Sequence, residues 1–218
     1  MSNINLHLGD CLEAMKEMPD NTYDLAIVDP PYGGNDAIGL QDNKSKGKQA
    51  TKRTNYKVFE NVAPSVEYFE QLQRVSKNQI IWGVNFYNNY DLSGGRIVWD
   101  KKGTAFGRAE LAYYSNSKSV NVFEYTWNGM LQGDMKNKEV RIHPTQKPVK
   151  LYEWLLDNYA KEGDKILDTH LGSGSIALAC HNRKFDLDAW EIDEEYYNNA
   201  VERLETHKSQ LTIFDLGG

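Results

Sequence analysis

The alternation of strand and helix patterns in the last third of the sequence most constrains the fold. Short apolar runs at 165–167 and 184–190 lie on either side of a helical segment at 174–181, which opens from a glycine turn. Amphipathic helices are predicted before this unit at 149–160 and after it at 193–207. Two strands joined through a helix form a βαβ unit, which places its strands parallel in one sheet.

The first half of the sequence also combines predicted strands with a predicted helix. Apolar runs at 3–8 and 24–28 predict strands, apolar residues spaced over 66–75 predict a helix, and the runs at 78–83 and 95–100 predict two further buried strands. We therefore predict an α/β fold of the Rossmann-like, doubly wound class, with a mostly parallel sheet covered by helices on both faces.

The middle of the chain predicts how the sheet ends. Two alternating segments, 110–114 and 120–125, indicate an antiparallel pair at one sheet edge, and residues 127–140 are polar and irregular. With 218 residues, of which 40% are hydrophobic, the chain can bury one full core but not two large ones. We expect a single domain that carries insertions.

Neither export nor a structural metal is indicated. No eighteen apolar residues run together, and residues 1–10 lack the basic and apolar regions of a secretory signal. Cys11 and Cys180 belong to no CxxC pair and have no histidines at ligand spacing, so neither a disulfide framework nor a zinc site is predicted. We expect a soluble, cytoplasmic protein with no membrane partner.

The charge of the chain is acidic overall but unevenly distributed. A net charge of -6 and a pI near 5.4, taken alone, argue against a polyanionic partner. Residues 43–59, however, include no acidic residue, and by themselves such basic runs fit solvated loops as well as phosphate contacts. The first basic run consists of Lys44, Lys46, Lys48, Lys52, Arg53 and Lys57, and a weaker one of Lys136, Lys138, Arg141, Lys147 and Lys150.

The sequence Asp29-Pro30-Pro31-Tyr32 follows an apolar strand and is the strongest single motif. The two prolines stiffen the turn and donate no backbone hydrogen, which leaves carbonyl oxygens free to accept. An aromatic amino group is a weak nucleophile because its lone pair is delocalised into the ring. The Asp29 carboxylate and the Pro30 carbonyl can each accept one of its N–H groups and draw the nitrogen toward tetrahedral geometry.

Tyr32 completes this motif with a ring that can stack on a base. Such stacking contributes roughly 1–3 kcal/mol, enough to hold a base that has been rotated out of the duplex. An ordinary proline turn is the alternative interpretation of the tetrapeptide.

The second motif is the glycine-containing turn from Asp168 to Ser175, at a strand-to-helix junction. Glycines allow close approach of the backbone to a ligand, and the helix N-terminus presents free N–H groups. Glu191 ends the next predicted strand, where a carboxylate can accept both ribose hydroxyls. The combination predicts a site for an adenosine-containing cofactor, although a merely tight turn is the alternative.

Together these residues resemble the amino-group DNA methyltransferases of the β class, in which the catalytic half precedes the cofactor half. The resemblance spans nearly the whole chain. Its order counts against the release-factor glutamine methyltransferases, whose cofactor motif comes before an NPPY sequence. The motifs are Gly9-Asp10, Asp29 to Tyr32, His143 to Pro148, Asp168 to Gly174, and Trp190 to Asp193.

The resemblance implies methyl transfer from S-adenosylmethionine to an exocyclic amino group in double-stranded DNA, with base flipping. Asp rather than Ser at position 29 favours adenine N6 over cytosine N4, which stays the alternative. The implied catalytic residues are Asp29, Pro30, Pro31 and Tyr32. The implied cofactor residues are Asp10, Cys11, Asp29, Thr145, Gln146, Lys147, Asp168, His170, Gly172, Ser173, Gly174, Glu191 and Ile192.

The same resemblance divides the single domain, 1–218. A catalytic half at 1–102 and a cofactor-binding half at 142–208 enclose a target-recognition insert at 103–141, and a tail follows at 209–218. Both basic runs then flank the mouth of the site, which favours phosphate contacts. The resemblance also implies a restriction-modification system in a bacterial or phage-infected cell. It does not decide whether the protein forms a homodimer.

Three features depart from the family or go beyond it. Thr169-His170 replaces a common Pro-Phe, and His170 can pack on the cofactor or only form part of the turn. His143 is expected to be structural, since the chemistry needs no histidine base. Gln210, Leu211 and Phe214 resemble a peptide that docks on the bacterial sliding clamp, and a catalytically silent DNA-binding or clamp-binding relative is the rival to an enzyme.

Overall fold

The computed structural model describes residues 2–33, 62–103, 107–127 and 131–215. The first basic run, Lys44 to Lys57, therefore lies outside the described residues. The strands are β1 (Ile4–Leu8), β2 (Tyr23–Val28), β3 (Ser76–Trp82), β4 (Gly95–Asp100), β5 (Ala109–Tyr114), β6 (Val120–Glu124), β7 (Lys165–Asp168) and β8 (Asp186–Glu191). The helices are α1 (Cys11–Lys16), α2 (Val66–Val75), α3 (Val149–Tyr159), α4 (Ser175–Arg183) and α5 (Glu194–Asp215).

The eight strands form one sheet in the order β1-β8-β7-β2-β3-β5-β4-β6. The first five of these run parallel, β5 is antiparallel to both of its neighbours, and β6 is parallel to β4. The predicted fold class, a doubly wound and mostly parallel α/β sheet, is confirmed.

The predicted antiparallel pairing of 110–114 with 120–125 is wrong, because β4 lies between β5 and β6. Tyr114 at the end of β5 is paired with Gly95 at the start of β4, and the chain then crosses β4 to begin β6. A Cβ at Gly95 would lie 2.9 Å from the Ser119 carbonyl oxygen, so the glycine gives the crossing segment room. Strand alternation alone does not reveal which neighbour a strand pairs with.

Two apolar layers cover the faces of the sheet. Side chains of successive strand residues point to opposite faces. Leu25 and Ile27 thus belong to the cluster that includes residues of α3 and α4, whereas Ala26 and Val28 belong to the cluster that includes residues of α1 and α2. Because β2 is buried on both faces, it consists of an almost continuous apolar run.

The helices differ from the sequence prediction at two places. Helix α1 was not predicted, and it is a short helix whose N-cap Asp10 accepts a hydrogen bond from the Leu12 amide. Helix α5 continues to Asp215, beyond the predicted helix end at residue 207 and into the segment predicted as a tail. Among the helices of the described residues, none combines the length and apolar character needed to cross a lipid bilayer.

Candidate active site

A cavity of about 510 Å³ opens at the edge where β2, β7 and β8 end. Its volume is within the range of small-molecule sites. Parallel strands present their carboxyl ends at one edge, which explains why segments distant in sequence meet there. The cavity is lined by Asp29, Pro30, Pro31, Tyr32, Val62, His143, Thr145, Gln146, Lys147, Tyr152, His170, Leu171, Gly172, Ser173, Glu191, Ile192, Asp193 and Tyr196.

The corner after β2 presents two hydrogen-bond acceptors to this cavity. The Asp29 carboxylate accepts from the Lys147 ammonium at 2.5 Å and from the Tyr32 hydroxyl at 2.8 Å. The Pro30 carbonyl accepts from the Tyr87 hydroxyl at 2.8 Å. A carbonyl oxygen has two lone pairs and a carboxylate about four acceptor positions, so each group can accept one further N–H.

Lys147 lies at the centre of a buried ionic network. Its side chain is 3% exposed, and its ammonium is 3.0 Å from the Glu110 carboxylate. The second oxygen of Glu110 pairs with Lys101. Removing a buried ammonium from water is costly unless anions and acceptors surround it, and here two carboxylates do so.

The network shifts the ionisation of its members in opposite directions. Burial raises the pKa of Asp29 against the opposing effect of Lys147, and the charge of Glu110 adds to the rise. For Glu110 burial acts in the same upward direction, but the ammonium groups of Lys147 and Lys101 prevail and lower its pKa to about 2. Asp29 is therefore the more easily protonated of the two carboxylates.

Tyr32 is held from several sides. Its ring stacks on Phe86, with centroids 4.8 Å apart and an interplanar angle of 10°. A Cβ at Gly83 would lie 2.2 Å from the Tyr32 ring, so a glycine is needed at this close approach. Phe86 itself is 44% exposed, which leaves an aromatic surface beside the corner.

The glycine turn forms another part of the cavity wall. Gly172 and Gly174 have φ values of +52° and +73°, a conformation that residues with a Cβ rarely adopt. Gly174 is the N-cap of α4 and would bring a Cβ to 3.1 Å from Ala200. Arg203 donates to the Ser173 carbonyl at 2.9 Å and stabilises this turn from behind.

Glu191 ends β8 beside the turn. Its carboxylate accepts from the amides of Gly172 at 2.8 Å and Asp193 at 3.0 Å, which fixes its orientation. Ile192 lines the cavity next to it and is 72% exposed. A fixed carboxylate, an apolar side chain and a glycine turn fit the ribose, base and chain of an adenosine-type cofactor.

Four predicted cofactor residues are not among those that line the cavity: Asp10, Cys11, Asp168 and Gly174. Asp168 is buried behind the turn, where its carboxylate accepts from the His170 amide at 3.0 Å, and burial raises its pKa to about 8. Burial also raises the pKa of Cys11 to about 12, so that the thiol stays protonated.

The segment before α3 brings three further predicted residues to the cavity. Thr145 donates from its amide to the His143 ring at 3.3 Å, and the carbonyl of Gln146 accepts from the buried indole of Trp127 at 2.9 Å. Burial lowers the pKa of His143 to about 4, and its ring packs edge-on against Tyr196. A neutral, packed imidazole agrees with the structural role expected for it.

The second basic run does not form one surface. Lys136 and Lys138 are exposed, whereas Lys147 points into the ionic network. Arg141 donates to the Pro144 carbonyl, and Lys150 pairs with Glu153. Lys136 and Lys138 are thus the members best placed for a polyanion, since the exposed Lys150 pairs with Glu153.

Sequence reasoning missed Glu110, Lys101 and Tyr87. For Glu110 the sequence did contain a signal, namely its spacing from Ala112. Residues two apart in a strand share a face, and Ala112 faces the core, so the side chain of Glu110 lies on the same face of β5. A carboxylate on that face requires a buried cation. Which cation it is depends on the sheet order, which places β5 beside β3 and Lys147 nearby.

The comparisons with known proteins agree on one family. A family model described as DNA methylase matches residues 52–202. The chain is 24% identical to the type II methyltransferase M.HpaI of Haemophilus parainfluenzae, over 95% of this chain and 75% of the relative. It is 26% identical to the type II methyltransferase M2.MboI of Moraxella bovis, over 81% of this chain and 78% of the relative.

Solved structures share the fold at lower identity. The complex of M1.HpyAVI with S-adenosylmethionine superposes with a TM-score of 0.55 at 20% identity, covering 92% of this chain and 100% of that one. The cytosine-N4-specific PvuII DNA methyltransferase superposes with a TM-score of 0.60 at 14% identity, covering 92% and 86%.

Proposed function

This chain belongs to the family of N6/N4 amino-group DNA methylases, and from that premise we propose that it methylates the N6 amino group of adenine in double-stranded DNA. S-Adenosylmethionine is the methyl donor. Asp29 carries the proposal of adenine, because the resembled family favours adenine when this position is Asp and not Ser. Cytosine N4 methylation is the competing outcome of the test below.

Two of the proposed catalytic residues, Asp29 and Pro30, act by accepting hydrogen bonds. The Asp29 carboxylate and the Pro30 carbonyl would each accept one N–H of a flipped adenine, which localises the nitrogen lone pair. A cofactor held by the glycine turn, Glu191 and the segment from Thr145 to Lys147 would supply an electrophilic methyl group on a sulfonium, with a neutral thioether as the leaving group. The surplus amino proton then leaves to Asp29 or to water.

The cofactor would lie along the wall opposite Asp29. The backbone of the glycine turn, Glu191 and Ile192 would hold the adenosine part, and the segment from Thr145 to Lys147 the methionine part. Tyr32 would stack on the base, with Phe86 behind it. Closeness of donor and acceptor in one cavity supplies the positioning on which a direct transfer depends.

We propose the same division of the chain as the sequence indicates, with target recognition in 103–141. Strands β5 and β6 of this segment belong to the sheet, and its polar residues 131–141 carry the exposed Lys136 and Lys138. These lysines and the run Lys44 to Lys57 would contact phosphates. Docking on a sliding clamp through Gln210, Leu211 and Phe214 stays a prediction, as does a homodimer.

Base analysis tests this function directly. The purified chain is incubated with radiolabelled S-adenosylmethionine and unmethylated double-stranded DNA, which is then digested to nucleosides. We expect label in N6-methyladenine. Label in N4-methylcytosine would overturn the choice of base, and no label in DNA with intact cofactor binding would favour the silent DNA-binding relative.

A further inference from the structure

A row of alternating charges leads from the β4–β5 side of the sheet to the cavity. Lys101 pairs with one oxygen of Glu110, and the other oxygen of Glu110 lies 3.0 Å from the Lys147 ammonium. Lys147 in turn contacts Asp29 at 2.5 Å. Asp29 has a place in the proposed transfer and Lys147 in the proposed cofactor site, but the function leaves Glu110 unexplained.

The geometry of Lys147 shows what Glu110 does. An ammonium group has three donors, and those of Lys147 have three acceptors within reach: Asp29, Glu110 and the Tyr32 hydroxyl at 3.1 Å. Two carboxylates thus share one ammonium. Within the described parts of the chain, Asp29 would be left as the one carboxylate paired with Lys147 if Glu110 lost its charge, and its negative charge would then be balanced by the ammonium alone.

We propose that Glu110 is a positioning residue for methyl transfer, because it shares the Lys147 ammonium with Asp29, fixes the position of that ammonium, and so leaves part of the negative charge of Asp29 available to accept an N–H of the target amino group. The inference rests on the proposed function of Asp29. It assigns to β5 a role in the reaction itself, in addition to its place in the sheet.

The same arrangement makes a pH-dependent prediction. The rate should fall on the acidic side as Asp29 is protonated, and the negative charge of Glu110 favours that protonation. Removing this charge should therefore move the acidic limb of the rate profile to lower pH while the maximal rate falls. The charged and titratable groups around Asp29 are Lys147, Glu110, Tyr32, Tyr87, Asp168 and Tyr152, with Lys101 behind Glu110.

Single-turnover methyl transfer by Glu110→Gln, measured from pH 5 to 9 at saturating cofactor and DNA, tests the proposal. A shifted carboxylate of the order of 1 Å can cost up to about 100-fold, and we expect a loss of roughly 10- to 100-fold. Calorimetric binding of S-adenosylmethionine should change far less than the rate. Glu205→Gln, the same change at an exposed carboxylate paired with Lys208, is the matched control and should behave as wild type.

A second variant guards against misfolding, because removing one partner of a buried charge pair is destabilising. Glu110→Gln combined with Lys101→Met removes one charge of each sign and should show the same displaced limb. A wild-type rate and profile in either variant would overturn the proposal, and so would a lower rate with an undisplaced limb. If wild type itself transfers no methyl group to DNA, the proposed function fails first and this inference with it.

Discussion

Two aspartates end neighbouring strands of the same sheet and differ in nearly everything else. Asp29 follows β2, lines the cavity and accepts hydrogen bonds from the side chains of Lys147 and Tyr32. Asp168 ends β7, lies behind the cavity wall and accepts from the backbone amide of His170. Burial raises the pKa of both, to about 8 for Asp168, and the groups that oppose the rise differ: the ammonium of Lys147 for Asp29 and the backbone amide of His170 for Asp168.

The difference shows that the fold decides where a carboxylate lies, whereas the surrounding side chains decide whether it is charged. The end of a parallel strand brings a carboxylate to the ligand edge of the sheet. Whether that carboxylate is charged depends on its neighbours, which come from other segments. With a pKa near 8, Asp168 is mostly protonated at pH 7 and serves as a neutral part of the glycine turn, whereas at Asp29 the ammonium of Lys147 opposes the rise in pKa that burial causes.

Replacing Asp29 should produce the largest effect. Asp29→Ala removes an acceptor placed where charge develops, so we expect methylation of DNA to fall by at least about 10³-fold. Binding of S-adenosylmethionine, measured by calorimetry, should persist. Asp20→Ala, at an exposed aspartate paired with Arg74, is the control. Unchanged radiolabel transfer by Asp29→Ala would contradict the assignment.

Replacing Asp168 should change stability and its dependence on pH. Its folded-state pKa is raised, so the stability that it contributes is complete below about pH 4 and is lost as the pH rises through 8. Asp168→Asn keeps the acceptor for His170 and lacks this loss. We expect the advantage of the variant over wild type to grow by up to about 4 kcal/mol between pH 5 and 9, or roughly 2–4 °C in Tm for each kcal/mol.

Thermal unfolding of both proteins across this pH range measures the effect. Parallel curves of Tm against pH would show that Asp168 does not titrate between these values. The contrast with Asp29 would then be one of contacts alone.

Much of the fold around both aspartates could be predicted from the sequence. Strands such as 24–28 can be predicted because burial on both faces requires an almost continuous apolar run. The glycines at 172 and 174 likewise predict the turn between β7 and α4. The pairing of β6 was not predictable in the same way. It depends on a crossing over Gly95, which is a matter of space between segments and not of any local pattern.

The candidate site was predictable where its chemistry is local in sequence. Asp29 to Tyr32 are adjacent residues, so their motif names them directly. The surroundings of Asp29 come from β5 and from the segment before α3, and they meet only once the strand order is known. For that reason the sequence places Lys147 in the cofactor site but does not reveal its contact with Asp29, and Glu110 was not predicted.

The glycine turn on the Asp168 side should affect cofactor binding more than chemistry. Gly172→Ala forces a Cβ into a left-handed conformation at a cost of about 1–2 kcal/mol, while the new Cβ would make only ordinary contact with His143 at 3.7 Å. We expect about tenfold weaker binding of S-adenosylmethionine by calorimetry. Gly163→Ala has the same conformational cost at φ +88° away from the cavity, and it should lower Tm without weakening that binding.

The smallest effects should come from two tyrosine hydroxyls, one on each side of the comparison. Tyr32→Phe keeps the ring on Phe86 and removes one donor to Asp29, while Lys147 still holds the other oxygen. The single-turnover rate should fall about three- to fivefold, with unchanged cofactor affinity.

Tyr68→Phe removes a 2.6 Å contact with Thr169, next to Asp168, and should lower cofactor affinity by a similar factor at an unchanged rate. If Tyr32→Phe instead lowered cofactor affinity and Tyr68→Phe lowered the rate, the corner at Asp29 would not be the site of chemistry. The reason is that the Tyr32 hydroxyl contacts the carboxylate that accepts the N–H, so its loss must affect the transfer step before it affects binding.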